Sequence, residues 1–277
     1  AFDGVQCPCI ILDLQCTHSG LTTLGMNVNT GNESFTINTE RNVNSEYFSF
    51  TTSDAEYNVM NKIKNISNAS FLLGNADFAL GIVTGNNKEY ISDKKTNDNE
   101  IVLKGADISK YHINPTTNYI IFKPENFQQI APTEMYRAKE KLLYRFISSQ
   151  LVFAYDDKQT LSLNSCNIVI PKIPGIKIKY VLAILNSRIA QFIYKKDFNS
   201  VKVLRSHIEN IPIPAADGST QDEIITLTEK LISGLEISEA EKLYDELDIR
   251  IAKLYNLESN EFALIKKAVD GENKFLA

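Results

Sequence analysis

The stretch IKYVLAILNSRIAQFIYKK, residues 178–196, decides how the rest of the chain is organised. Val181, Ile184, Leu185, Ile189 and Phe192 recur at three- and four-residue steps, which lines one face of an α-helix. Lys195 and Lys196 fall in the last turn, where the helix dipole favours cations. The spacing predicts one amphipathic helix, and it stands at a change of texture. Upstream, FALGIVT (78–84), EIVLK (100–104), NYIIF (118–122), SQLVFAYD (149–156) and NIVIP (167–171) are short apolar runs between Gly, Asn, Asp and Pro clusters. These read as strands. Beyond Pro214, TQDEIITLTEKLISG (220–234), SEAEKLYDELDIRIAKLYN (238–256) and ESNEFALIKKAV (258–269) read as amphipathic helices punctuated by Gly234 and Asn256. The fold expected is therefore α+β, a β-rich middle followed by a helical C-terminal region.

Two further helices are expected. TTSDAEYNVMNKIKNIS (51–67) offers Thr52 or Ser53 as an N-cap, with Ala55, Val59 and Ile63 along one side. TEMYRAKEKLLYRFI (133–147) places Met135, Ala138, Leu142 and Leu143 at helical spacing, with Arg145 near its end. At the start, QCPCIILDL (6–14) has the pattern of a largely buried strand, and GLTTLGMN (20–27) suits a hairpin partner. A polar, Asn-rich passage over about 26–46 reads as a connection. The expected division is 1–46, 47–216 and 217–277. The first residues have neither a starting Met nor a basic leader, which reads as a fragment beginning inside a domain.

The 277 residues are 43% hydrophobic and 23% charged, which suffices for a real core, and no apolar run reaches the roughly 20 residues of a membrane span. The net charge of −5 conceals an uneven distribution. Residues 217–277 hold 14 Asp and Glu against 7 Lys and Arg, so the whole-chain value leaves +2 for residues 1–216. Within 172–205, Lys172, Lys177, Lys179, Arg188, Lys195, Lys196, Lys202 and Arg205 face a single Asp197. Gathered on one face, these cations make a footprint for phosphate; spread out, they are a solvated helix surface.

Four cysteines, Cys7, Cys9, Cys16 and Cys166, are too few for a disulfide framework, which points to a reducing cytoplasm and leaves the sequons at Asn32, Asn65 and Asn68 without a role. Cys7, Cys9, Cys16 and His18 include zinc-ligand types, but C-x-C-x6-C-x-H is not a standard zinc pattern, and buried strand cysteines account for it without metal. His18, His112 and His207 sit in unrelated contexts, as surface or loop histidines, and no Ser or Cys has a base partner in view.

Five segments in order resemble the target-recognition region of TaqI-like adenine-N6 DNA methyltransferases and related single-chain restriction-modification enzymes: GIVTGNNKEYI (81–91), LKGADISKY (103–111), residues 141–171, YVLAILNSRIAQFIY (180–194) and KVLRSHIENIPIP (202–214). YDELDIRIAKLYNLESNEF (244–262) resembles the helical ending of the same group. The resemblance implies a β-rich recognition domain over 47–216 that reads double-stranded DNA, an acidic helical region over 217–277, and, over 1–46, the last hairpin of a methyltransferase sheet. A catalytic domain in the same parent chain is implied as partner, with S-adenosylmethionine as the parent's cofactor. A specificity subunit of a multi-subunit restriction system is the alternative, its acidic helices docking a partner.

The residues suit such a task. Glycines in GIVTGNNKEYI permit close backbone approach, while Thr84, Asn86, Asn87 and Lys88 offer groups matched to sugar-phosphate or base edges; an ordinary Gly-Asn turn is the plain alternative. Arg145, Lys158, Gln159 and Asn164 lie around two short strands, and the resemblance marks Arg145 and Asn164 as family positions, although an Asn at 164 also serves a turn. NSVKVLRSHIENIPIP (199–214) predicts a basic turn and a short helix stopped by prolines, bringing Lys202 and Arg205 to phosphate after the helix end at Lys195 and Lys196. Phe2 matches the family's base-stacking aromatic, although Asp3 stands where the family has Pro. NPTT (114–117) lacks the second proline and the aromatic of the family's catalytic Asn-Pro-Pro motif, and no Gly-rich turn for S-adenosylmethionine is seen, so this chain alone is expected not to methylate DNA.

Overall fold

The structure, a computed structural model, describes residues 11, 23–29, 33–41, 51–198 and 200–270. The chain divides into two units, Ala1–Asp54 and Ala55–Ala277. In the first, strands β1 (Asn27–Asn29) and β2 (Ser34–Thr36) pair antiparallel. The buried Arg41 guanidinium donates to the Thr52 hydroxyl and carbonyl at 2.8 and 2.6 Å and meets Asp54 at 3.3 Å. The expected strand over 6–14 lies outside the described residues, as does most of its partner.

The second unit begins within helix α1 (Asp54–Lys64), a helix expected from its spacing. Its inward face is Glu56, Val59, Met60 and Ile63, while Ala55 is exposed. Strands β3 (Ala69–Ser70) and β4 (Ala76–Ala79) follow, then a single turn α2 (Asn87–Tyr90) and strands β5 (Ile91–Ser92), β6 (Glu100–Leu103) and β7 (Tyr119–Ile120). After the turn α3 (Thr133–Tyr136) come β8 (Lys141–Arg145), β9 (Phe153–Asp156), β10 (Leu161–Ser162) and β11 (Cys166–Pro171). Helices α4 (Ile178–Asn186), α5 (Arg188–Asp197) and α6 (Arg205–Ile208), strand β12 (Ile213–Pro214) and helices α7 (Gly218–Ile232), α8 (Ile237–Leu254) and α9 (Ser259–Asp270) complete it.

Two four-stranded sheets, in the orders β4-β11-β8-β9 and β10-β6-β7-β5, make two layers, and the helices make a third. The first sheet is the middle layer, because its residues alternate between two cores. Leu142, Tyr144, Phe153, Tyr155 and Val169 pack with the helices. Leu143, Ala154, Cys166 and Ile168 pack with Val102, Leu103, Ile120 and Leu161 of the second sheet.

That double burial corrects the reading of 133–147 as a helix. Only Thr133–Tyr136 makes a helical turn, and Lys141–Arg145 is an inner strand. A strand covered on both faces reads as a continuous apolar run, so its two-residue period is invisible and Leu142 and Leu143 counterfeit a helical pair. Even Lys141 is fully buried there, its ammonium bonded to Asp156 and to the Tyr136 carbonyl.

The decisive stretch also differs from expectation. It is two helices, broken at Ser187, whose backbone is extended and whose hydroxyl accepts from the Ala190 N–H at 3.2 Å and donates to the Ile184 carbonyl at 2.7 Å. Every side chain from Tyr180 to Tyr194 is buried, so this is a central element rather than an amphipathic one. Its polar residues seal the exposed edge of β9: Asn186 accepts from the Phe153 N–H and donates to the Phe153 carbonyl, both at 2.9 Å, and the Gln191 side chain accepts from the Leu151 N–H at 2.7 Å. Ser187→Ala is expected to lower stability by about 1 kcal/mol, read as a reduced midpoint in urea unfolding.

Helices α7, α8 and α9 match the three predicted stretches. They share one apolar core with α1, α4, α5 and the middle sheet, so packing joins residues 217–277 to the β-rich region that the sequence set apart. No helix among the described residues is long and apolar enough to cross a membrane.

Candidate nucleic-acid interface

The loops at one end of the middle sheet converge. β8 leaves the sheet at Arg145, and the chain runs on as a ribbon against 201–203: the Val203 N–H donates to the Phe146 carbonyl at 2.8 Å, Ser148 N–H donates to Val201 at 3.0 Å, and Ile147 pairs with Lys202. The Phe146 N–H donates to the Ser165 carbonyl at 3.0 Å, and the Asn164 N–H donates to the Ile82 carbonyl at 3.1 Å. Ile82 and the segments 145–148, 164–165 and 201–203 are thus tied together by backbone hydrogen bonds.

Two glycines hold the 163–165 turn in place. A Cβ on Gly81 would lie 2.1 Å from the Leu163 carbonyl oxygen, and one on Gly105 would lie 2.5 Å from that of Ser165. The close approach read from GIVTGNNKEYI is real, but it is made to this chain's own backbone. Gly105 N–H also donates to the Ser165 hydroxyl at 3.0 Å.

The predicted residues divide. Asn164, Lys202 and Arg205 are exposed, as are Asn86, Asn87 and Lys88 on the neighbouring loop. Thr84 is buried, its hydroxyl donating to Asn87 Oδ1 at 2.6 Å, so it shapes the loop. Asn86 donates to Glu89 at 3.3 Å. Arg145 donates through Nε and Nη2 to the Ile108 carbonyl at 2.8 and 2.5 Å, so the edge of the fork expected for a base is spent on fastening a loop, and partial burial lowers its pKa. Lys158 and Gln159 follow β9 at the opposite end of the sheet, since β8 and β9 run antiparallel with Lys141 beside Asp156. Phe2, Cys7, Cys9, Cys16 and His18 lie outside the described residues.

The eight cations of 172–205 do not share a face. Lys172 pairs with Asp77, Lys177 with Asp222, Lys179 with Glu229, Lys196 with Glu56 and Arg205 with Glu209, while Arg188 meets Asp245, Asp248 and Asp270. Lys195 donates to the Ala268 carbonyl at 3.0 Å. The acidic tail is therefore the carboxylate partner of three of the eight, Lys177, Lys179 and Arg188, a pairing across 45 to 82 positions that linear charge counting misses. Lys202 stands exposed with no ion pair among the described residues. Arg205 keeps its guanidinium 5.0 Å over the Phe78 ring while bonding Glu209 at 2.7 Å.

His207, expected at a surface or in a loop, is buried. Its ring stacks on Phe198 at 4.2 Å, Nδ1 accepts from the Leu204 N–H at 3.2 Å, and burial lowers its pKa. It orders the 200–207 turn. What sequence reasoning missed is the apolar part of the surface: Ile147 and Val201 are each 65% exposed, and Leu204 is 42% exposed. The signal was Ile147 itself, an aliphatic just past a strand end, absorbed into the false helical pattern of 133–147.

Residues 100–213 match the family model described as the TaqI-like C-terminal specificity domain. This bears out the resemblance from β6 through the α4–α5 pair to residue 213. The type II methyltransferase M.VspI of Vibrio sp. (strain 343) is 37% identical over 101 residues, 36% of this chain and 24% of that protein. Among solved structures, the type IIG restriction endonuclease BpuSI aligns over 79% of this chain and 32% of its own at 12% identity, with a TM-score of 0.49. The type IIL restriction-modification enzyme MmeI in complex with DNA aligns over 70% and 35% at 10% identity, with a TM-score of 0.45. The chain thus spans about a quarter to a third of the length of these proteins.

Proposed function

We propose that this chain is a DNA target-recognition module of a restriction-modification methyltransferase. It holds duplex DNA against the loop end of its middle sheet. The observation that carries this reading is the composition of that surface. Segments 78–88, 141–155, 158–171 and 198–208 contain no Asp or Glu, yet they place Lys88, Asn164, Lys202 and Arg205 at the exterior of a protein whose net charge is −5. Fourteen of the 29 Lys and Arg residues are ion-paired among the described residues, whereas Lys202 on this surface is exposed with no ion pair among them, and exposed positive charge is what a phosphate backbone selects.

In this reading Lys202 takes a phosphate, Arg205, paired with Glu209, orients the turn beside it, and the exposed amides of Asn86, Asn87 and Asn164 face base edges, where an Asn side chain pairs with adenine in the major groove. Arg145 positions the 105–111 segment rather than reading DNA. Recognition of a site in which an adenine is flipped, and transfer from S-adenosylmethionine by a catalytic domain in a longer parent chain, are part of the same proposal. The match to a specificity domain over 100–213 and the kinship with a type II methyltransferase support it.

The test is duplex binding by fluorescence anisotropy over a range of salt. Affinity is expected to fall linearly on a log–log plot, and Lys202→Ala is expected to reduce the slope by about 1 while weakening all sequences alike. Lys177→Ala, whose ammonium is paired with Asp222, is expected to leave the slope unchanged. Equal slopes for wild type and the Lys202 variant would remove the phosphate assignment.

A further inference from the structure

We propose that Ile147, carried beside Lys202 on the two-stranded ribbon, is an apolar wedge that enters the base stack of bound duplex DNA. The inference rests on the DNA-recognition reading above and adds to it a mode of contact.

Ile147 and Val201 leave about two-thirds of their surfaces in water, and Leu204 nearly half. Three large aliphatic side chains on one small protrusion are an unfavourable arrangement unless something covers them. The protrusion is not a frayed end. It is tied along its length by the Val203-to-Phe146 and Ser148-to-Val201 hydrogen bonds and joined to the 165 turn through Phe146. From below, the Tyr194 hydroxyl donates to the Ser200 carbonyl at 2.7 Å, and the Tyr194 ring is fully buried. The next residues are fastened as well: the Ser148 hydroxyl accepts from the Gln150 N–H at 3.1 Å, and Gln191 holds the Leu151 N–H. Ile147 is therefore held outward by a rigid support.

Its neighbours choose the occupant. Ile147 and Lys202 are cross-strand partners, so their side chains stand on the same side of the ribbon, with Cβ atoms about 5 Å apart. An aliphatic tip beside an ammonium, on loops without a carboxylate, matches a polymer that is apolar between its bases and anionic along its rim. A two-stranded ribbon fits a DNA groove, and aliphatic side chains that enter a base step unstack it and bend the duplex. A protein partner would have to bring its own anions to this place.

The experiment uses the 277-residue chain and two readouts, anisotropy on a labelled duplex and the linking number of plasmid relaxed by topoisomerase I in the presence of saturating protein. Wild type is expected to bind and to shift the topoisomer distribution, because wedging unwinds the duplex. Ile147→Ala is expected to bind about tenfold more weakly with an unchanged salt slope, and to lose the topoisomer shift when saturated. Ile147→Leu should retain both, and Lys202→Ala should keep the shift while losing slope. Thermal melting of each variant controls for folding, which substitution at so exposed a site leaves intact. If wild type saturates the plasmid without a shift, or Ile147→Ala matches wild type in affinity and shift, the wedge is overturned while DNA recognition stands, and Ile147 belongs to a protein contact. If wild type does not bind DNA at any salt, the recognition reading falls and takes the wedge with it.

Discussion

Arg188→Ala is expected to cost about 3–5 kcal/mol of folding stability, the range found when one member of a buried ion pair is removed and the other is stranded. Arg188 stands at the start of α5, about 10% exposed, with Nη1 at 2.8 Å from both Asp245 and Asp248 and Nε at 2.6 Å from Asp270. Its guanidinium lies 4.6 Å from the centre of the Tyr244 ring. One side chain thus ties α5 to α8 and α9. Asp248 is fully buried; burial pushes its carboxyl pKa up, against the attraction of Arg188 and of Lys110, whose own pKa burial pushes down. Without Arg188 the carboxyl rises further, leaving Lys110 as the buried cation that acts on it. The pH dependence follows from that direction. Below the folded-state value Asp248 is neutral and the loss is moderated; as pH rises through that value the carboxylate must be buried without Arg188. Urea unfolding at pH 5 and pH 8 is expected to show the larger deficit at pH 8. An equal deficit at the two values would show that packing, not charge, is what Arg188 supplies.

The second large effect is expected at Gly81. An alanine Cβ would overlap the Leu163 carbonyl at 2.1 Å and approach that of Cys166 to 2.8 Å, and both are backbone atoms that cannot turn aside. Gly81→Ala is expected to cost about 3 kcal/mol, the upper part of the usual range for overpacking. Because the displaced atoms are those of the 163–165 turn, the variant should also lose DNA affinity beyond its loss of stability, as measured at a temperature where it remains folded. Gly218→Ala is the control: nothing lies within 4 Å of its Cβ, and it sits in the first turn of α7, so it is expected to be neutral or stabilising by under about 1 kcal/mol. A Gly81 variant as stable as the Gly218 variant would show that the turn yields freely.

These two sites mark where the chain can be read as a string and where it cannot. Helices α1, α7, α8 and α9 were legible because each buries one face and leaves the other in water, so the period shows in the letters. The strand at 141–145 was not, because being covered on two sides erases the period. The break at Ser187 was hidden for a related reason: in a stretch buried all round, a Ser that bonds its neighbouring turns looks like a tolerated polar residue. The basic segment misled most. Lys177, Lys179 and Arg188 meet carboxylates on α7, α8 and α9, and only the packing of those helices onto α4 and α5 reveals that their charge is already answered. Lys202 and Asn164 were legible because they lie in turns, where local chemistry decides exposure. Ile147 was not, since its exposure depends on a ribbon partner 55 positions away.

The amide of Asn186 fastens the Phe153 N–H to a helix instead of to another strand, sharing the Phe153 carbonyl with the Tyr111 N–H, and Gln191 does the same for the Leu151 N–H. Those two backbone protons can therefore trade with deuterium only when α4 and α5 lift from the sheet, whereas protons between paired strands can wait for the sheet itself to part. Their exchange rates are a direct gauge of how often the helical layer opens, and a protein that clasps its target by hinging there would slow them on binding without touching them.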